Sequence, residues 1–276
     1  MDIRYSADIV RYKTMSNSEL RDVFAIETLF APGCVALTYS DIDRGVIGSA
    51  VPLGTVLELP ADKELASDYF AQRREIGIIN LGGQGRINVD GDTHVLGRLD
   101  CLYIGRESQG VEFASQDSEH PAHFYFVSYP AHTRYPTTLI KKTQAIKKEL
   151  GTQEAANKRT LFQCIHPDLV TTCQILLGFT VIQVGSVWNT FPPHTHTRRS
   201  EFYLYFDMVD DARVFHMMGE EDYVRTMVLK NGDVALSPIW SMHCGVGTGA
   251  YSFVWCMGGE NQDFDDMDFI NPTNIR

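Results

Sequence analysis

At 276 residues, 44% hydrophobic and 21% charged, the chain has a globular balance and is long enough for two ordinary domains or one large one. Its net charge of −11 and pI near 5.2 exclude the basic footprint that nucleic acid or an anionic membrane requires, so neither is an expected partner. An anionic ligand would need positive charge supplied locally.

The opening Met1-Asp2-Ile3-Arg4-Tyr5-Ser6 has no apolar leader core, and no stretch approaches the 18 apolar residues of a membrane span, so a cytoplasmic location is expected. Residues 1 to about 60 read as an extended lead-in with β-rich runs such as Cys34–Ser40 and Val46–Gly48, and Asp62–Ala66 as a short helix nucleus. From Glu75 the pattern is strand: Ile76–Asn80, a Gly82-Gly83-Gln84-Gly85 turn, Arg86–Val89, an Asp90-Gly91 hairpin turn, then Thr93–Leu96. Regularly spaced short strands indicate a sandwich or barrel. The Gly-rich turn has no helix after it and is not a dinucleotide fingerprint. His120 and His123, split by Pro121 and lacking further ligands, make no convincing site.

Lys141–Gly151 is polar and helix-compatible, and 137–160 is the candidate linker, its lysines forming a solvated face. A second β-rich block starts near Leu161. The expected organisation is therefore a first barrel over 1–136, the linker, and a second barrel over 161–276. Six cysteines, with no CxxC, argue against a disulfide framework. Cys244 is read as a buried thiol facing away from its neighbour His243.

The chemistry concentrates in Pro192-Pro193-His194-Thr195-His196-Thr197-Arg198-Arg199-Ser200-Glu201-Phe202-Tyr203-Leu204-Tyr205-Phe206. Strand side chains alternate with period two, so His194 and His196 share a face and reach one ion. A hairpin-like return brings back Glu201, with Tyr203 and Tyr205 on its parity. Further on, a Gly232-Asp233 turn starts an apolar strand, Pro238 ends it, and His243 follows. Any single histidine among the nine is better read as a satisfied core or surface residue. The His194, His196, Glu201, His243 set, with parity, order and turn chemistry in agreement, is read as a metal site. The spacing His-x-His-x4-Glu followed by Gly-x5-Pro-x4-His resembles the two motifs of the cupin superfamily.

Three imidazoles and a carboxylate suit Zn, Fe, Mn or Ni. Three functions fit: a ketol isomerase using a Lewis acid, an iron dioxygenase, or a non-catalytic sugar-binding cupin. Glu201 and Tyr203 are the candidate catalytic residues by position. Arg198, Arg199 and Tyr205 are the candidate substrate contacts, either arginine being able to grip a carboxylate in bidentate fashion. Aligning Glu75 with Glu201 places Asp68 and Phe70 at the positions of His194 and His196. Aligning Gly97 with Gly232 places Ser108 at that of His243. The first half then has the same plan without the metal ligands.

Longer motifs narrow the resemblance. Trp188-Asn189-Thr190 leading into His194-x-His196, Val214–Gly219, Ser237-Pro238-x-Trp240-Ser241-x-His243-x-Gly245–Thr248 and Gly259–Asp268 resemble the 5-keto-4-deoxyuronate isomerase family, as do Ile42-Asp43-Arg44, Tyr69–Gly77 and Val89-Asp90-Gly91. The resemblance spans nearly the whole chain, 141–159 and the residues after Asp268 matching poorly. It implies an all-β bicupin with a few short helices, assembled as a homohexamer, with one zinc per subunit on His194, His196, Glu201 and His243. The implied reaction converts 5-dehydro-4-deoxy-D-glucuronate to 3-deoxy-D-glycero-2,5-hexodiulosonate in pectin and polyuronate breakdown.

Overall fold

The computed structural model describes residues 1–276. The chain divides into two compact units, Met1–Ile3 with Thr28–Ala145 and Cys164–Ile175 in the first, and Arg4–Glu27 with Ile146–Gln163 and Leu176–Arg276 in the second. The units are thus not continuous in sequence. Residues 4–27 belong to the second unit and 164–175 to the first, which the composition of neither stretch signals. Each unit is cupin-like: antiparallel strands form two hydrogen-bonded sheets, not one closed barrel.

In the first unit a seven-stranded sheet runs in the order Asp2–Arg4, Val35–Ser40, Val46–Ala50, Phe124–Pro130, Arg74–Asn80, Cys101–Ile104, Thr138–Ile140. A four-stranded sheet of Leu57–Glu58, Val111–Ser115, Gly85–Val89 and Asp92–Leu96 completes it. Ile76, Ile78 and Phe126 of the first sheet share one apolar cluster with Ile87, Val89 and Phe113 of the second. Alternation sets those faces, since Ile87 and Val89 are buried while Arg86 is exposed. The Asp90-Gly91 hairpin turn holds both residues at positive φ, 52° and 96°, as a two-residue turn between twisted strands requires.

The second unit has a seven-stranded sheet in the order Ile146–Leu150, Arg159–Ile165, Leu176–Ile182, Ser252–Gly259, Arg199–Phe206, Val234–Ser237, Ala25–Ile26. Its five-stranded sheet is Tyr223–Leu229, Val214–Glu220, Met242–Gly247, Trp188–Thr195, Asp268–Phe269. The polar run expected to be helix-compatible is a short 3-10 turn, Lys142–Gln144, and the strand Ile146–Leu150, paired with 159–163 as an antiparallel hairpin. Pairing overrides the helical leaning of its Lys and Glu residues.

The N-terminal lead-in, expected to be extended, holds two helices, Ile9–Thr14 and Asn17–Phe24. Ser16 caps the second with a full capping box to Glu19. Tyr12, fully buried, donates its hydroxyl to the Met218 carbonyl at 2.7 Å, and Arg225 donates to the carbonyls of Tyr12 and Met15. The helices are thereby fixed to the strands of this unit.

The two large sheets repeat one order. Strand 74–80 lies between 124–130 and 101–104, as strand 199–206 lies between 252–259 and 234–237. Glu75 and Glu201 therefore occupy corresponding places. At the first, Asp68 is bonded to Gln72, Phe70 is buried in the core, and Ser108 donates to the Gly105 carbonyl. The aligned histidine positions there carry no ligand.

Candidate metal centre

Four strands converge on the site. His194 lies in strand Trp188–Thr195, directly opposite His243 of strand Met242–Gly247. The register shifts between Asn189 and His194, and Thr190 sits at φ 47°. This irregularity bends the strand and re-aims its end. His196 follows the end of that strand in a tight return, where Arg199 N–H donates to the His196 carbonyl at 3.0 Å. Glu201 enters on the neighbouring strand Arg199–Phe206, paired with Ser237 and Met257. As the sequence suggests, the Gly232-Asp233 turn opens strand Val234–Ser237, which stops before Pro238 and leads to His243.

All four side chains are buried, and one ligand atom from each lies within 4.8 Å of the others. Glu201 Oε2 is 3.0 Å from His196 Nε2 and 2.9 Å from His243 Nε2, while the Nε2 atoms of His243 and His194 are 3.2 Å apart. His196 Nδ1 is 2.7 Å from the Arg199 carbonyl oxygen. A carbonyl only accepts, so Nδ1 donates to it and Nε2 is the nitrogen turned toward the carboxylate. A carboxylate and an imidazole nitrogen held face to face can share a metal cation between them. Tetrahedral ligands at metal distances near 2.0–2.1 Å lie about 3.3 Å from one another, close to the separations here. The residues fit a divalent metal, with the Arg199 carbonyl orienting one ligand from behind.

Electrostatics agree with that donor set. Burial lowers the pKa of His194 and of His243, keeping both neutral, the form that binds metal. Burial opposes ionisation of Glu201, but His243 and His196 outweigh it and hold the carboxyl well below its usual range.

Comparison with known proteins extends this. The KduI/IolB family profile matches residues 32–271. A 4-deoxy-L-threo-5-hexosulose-uronate ketol-isomerase from Halalkalibacterium halodurans is 45% identical over 276 residues, covering 100% of both chains. A protein of the same name from Lachnoclostridium phytofermentans is 47% identical with the same full coverage. The chain belongs to the KduI/IolB family. Its full-length likeness to ketol-isomerases makes it an enzyme, an intramolecular oxidoreductase. Among solved structures, an IolB-like protein from Salmonella typhimurium superposes with a TM-score of 0.72 at 13% identity, covering 90% of this chain and 96% of that one. An oxalate decarboxylase from Lactobacillus farciminis gives 0.58 at 13% identity, covering 87% of each. Both show the shared fold.

In this member of the KduI/IolB family the histidine–glutamate cluster opens onto a cavity of about 290 Å³, walled by Tyr203, Phe253, Trp255, Phe264 and Met267 among others. Tyr203 lines it as its parity suggests, with burial foremost holding its phenol protonated, and Thr190 and Glu201 are its hydrogen-bonding neighbours. Tyr205 does not line it. Its hydroxyl lies 2.7 Å from His216 Nδ1, deeper in the unit, where burial pushes the imidazole down to about 3. Cys244 is buried, its thiol pushed up to about 12 by burial.

Arg198 and Arg199 are placed differently from the expectation. Neither lines the cavity. Arg199 is fully buried and pairs with Asp266, and Arg198 Nε donates to the same carboxylate at 3.0 Å. Both cations hold the segment 264–269, whose Phe264, Asp265, Met267 and Phe269 wall the cavity. Asp266 lies 67 residues from Arg199, too far for spacing to reveal. Sequence reasoning also missed Lys148, Arg159 and Asp265 in the cavity wall. The first two fall in the stretch read as a linker, although Lys148 and Leu150 already share strand parity there.

Proposed function

We propose that the chain is a zinc-dependent aldose–ketose isomerase that converts 5-dehydro-4-deoxy-D-glucuronate to 3-deoxy-D-glycero-2,5-hexodiulosonate in polyuronate and pectin breakdown. It would work in the cytoplasm as a homohexamer with one zinc per subunit. The observation that carries the reading is the face-to-face contact of His196 Nε2 with Glu201 Oε2 at the wall of a sugar-sized cavity. The names of its full-length relatives supply the substrate.

The reaction moves one hydrogen from C2 to C1 and one proton from O2 to O1, so atoms and electrons balance within the substrate. His194, His196, Glu201 and His243 would hold the metal, and zinc there would supply a redox-inert Lewis acid for the two oxygens. Glu201 directs Oε2 to the histidines, and its carboxylate, beside Tyr203, is the group proposed to accept the proton from carbon. Tyr203, held protonated beside it, is the donor to the substrate oxygens. Phe264, Met267 and Trp255 keep bulk water from the enediol.

Anaerobic NMR of the uronate in D2O tests this. Product carrying solvent deuterium at C1, lost on chelation and regained with zinc, is expected, and Tyr203→Phe is expected to lower kcat about a hundredfold. A metal-loaded protein that leaves the substrate unchanged would sink the assignment, and oxygen uptake by iron-loaded protein would replace it with a dioxygenase.

A further inference from the structure

Two cations, Lys148 and Arg159, line the metal cavity without a carboxylate partner of their own. They sit on adjacent strands of the large sheet, where Lys148 pairs with Leu161 and Leu150 with Arg159. Both face the cavity, so they are diagonal neighbours across the hairpin, at roughly 7–8 Å between backbones, within reach of long side chains. Like charges at that spacing repel. Among the hydrogen bonds of Arg159, its NH1 donates to the Asn157 carbonyl at 2.9 Å, which leaves most of its five donors for another group. Burial lowers its pKa, and only the phenols of Tyr203 and Tyr251 oppose that. Lys148 is held with its ammonium 5.4 Å from the Phe264 ring centre at the cavity rim.

A half-buried guanidinium with no carboxylate is costly in the empty protein, and an arriving anion offsets the cost. The other arginines near the site, Arg198 and Arg199, pair with Asp266 and do not line the cavity. Resting on the ketol-isomerase reading, we infer that Arg159, with Lys148 at the rim, forms the subsite that binds the carboxylate of the uronate and so places its aldehyde end at the histidine cluster.

Dimensions and lining agree. Strand 159–165 and strand 199–206 are separated by strands 176–182 and 252–259, three spacings or roughly 14 Å along the sheet. Arg159 and Glu201 line the same cavity from the two ends of that span. Between the ends lie Phe253 and Trp255, an apolar floor suited to the deoxy carbon. The cavity thus carries Arg159 and Lys148 on one side, aromatic rings in the middle and the histidine–glutamate cluster on the other, with Asp265 also in its wall.

The test is steady-state kinetics on the zinc-loaded protein with the uronate and with its C6 primary amide, for wild type, Arg159→Gln, Arg159→Lys and Lys148→Gln. Arg159→Gln is expected to raise KM for the uronate about 30-fold with kcat within threefold, the loss of a charge-assisted pair, and Lys148→Gln about fivefold. Arg159→Lys is expected to recover part of the KM, and the amide is expected to be indifferent to all three changes. An active wild type whose KM for the acid is unmoved by Arg159→Gln overturns the subsite. If wild type does not turn the uronate over, the isomerase reading fails separately, and calorimetric titration with D-glucuronate and D-glucose then decides the subsite. Glucuronate binding at least tenfold tighter than glucose, with the preference lost in both Arg159→Gln and Lys148→Gln, supports it. Equal affinities overturn it.

Discussion

Replacing Glu75 by alanine is expected to destabilise the first unit more than any other single carboxylate change there. Its side chain is wholly buried and accepts four hydrogen bonds: from the Tyr103 hydroxyl at 2.8 Å and from the backbone N–H groups of Cys173, Gln174 and Ile175 at 2.7, 2.7 and 3.1 Å. This carboxylate ties residues 173–175 to strand 74–80. Truncation leaves the buried Ile175 N–H and the Tyr103 hydroxyl without an acceptor, at about 1.5 kcal/mol each, and the partly exposed Cys173 and Gln174 N–H groups at about 0.5–1 kcal/mol each, roughly 4–5 kcal/mol in all. Glu75→Gln keeps one acceptor oxygen but turns an amide donor toward other donors, for about 2–3 kcal/mol, and Tyr103→Phe removes one bond, for about 1 kcal/mol. Urea unfolding, with hydrogen exchange at the Ile175 amide as the local probe, measures the series. The expected order is alanine, then glutamine, then Tyr103→Phe, with Ile175 exchange accelerated in the first two. A Glu75→Ala protein within about 1 kcal/mol of wild type, or with Ile175 still protected, would refute the reasoning. Because every residue lining the metal cavity belongs to the second unit, folded Glu75→Gln protein is expected to keep wild-type turnover.

His196→Ala or His243→Ala is expected to lose bound metal by elemental analysis, and with it the rise in melting temperature that zinc restoration gives wild type; tight metal retention by both variants would remove them from the ligand set. Asp266→Asn is expected to free the wall segment 264–269 and leave the buried Arg199 cation poorly compensated, at roughly 3 kcal/mol, visible as a lower urea midpoint and faster proteolysis near Phe264. Burial opposes ionisation of Asp266, but Arg199, Asn261 and Arg198 outweigh it and lower its pKa. A depressed folded-state pKa gives stability that is present above the unfolded value near 3.8 and lost as pH falls through the folded one, so acid denaturation of wild type is expected to steepen below that value and to flatten in Asp266→Asn.

What could be read from the sequence was what local geometry determines. His194, His196, Glu201 and His243 emerge because strand parity and one turn suffice to bring them together, and Asp90-Gly91 because a two-residue turn demands positive φ. The helix Asn17–Phe24 also had a local signal, the Ser16-x-x-Glu19 capping box, which the β-rich look of its surroundings masked. The roles of Arg198 and Arg199 had none, since a guanidinium beside a ligand strand is equally suited to substrate or to a distant carboxylate, and only the fold delivers Asp266. For the same reason Lys148 and Arg159 looked like a solvated linker until pairing placed them in a wall.

Glu75 and Glu201 make the limit concrete. Both follow an arginine pair, both enter corresponding strands of corresponding sheets, and both are buried. A buried carboxylate must find donors or a cation, and nothing in either residue's own stretch says which. At Glu201 the facing groups are imidazole nitrogens with lone pairs to offer, so the pair fits a metal. At Glu75 they are three backbone N–H groups and a phenol, which satisfy the carboxylate without an ion. One position in the fold thus does chemistry in the second unit and holds the chain in the first, and the difference lies in what the rest of the sheet brings to face it.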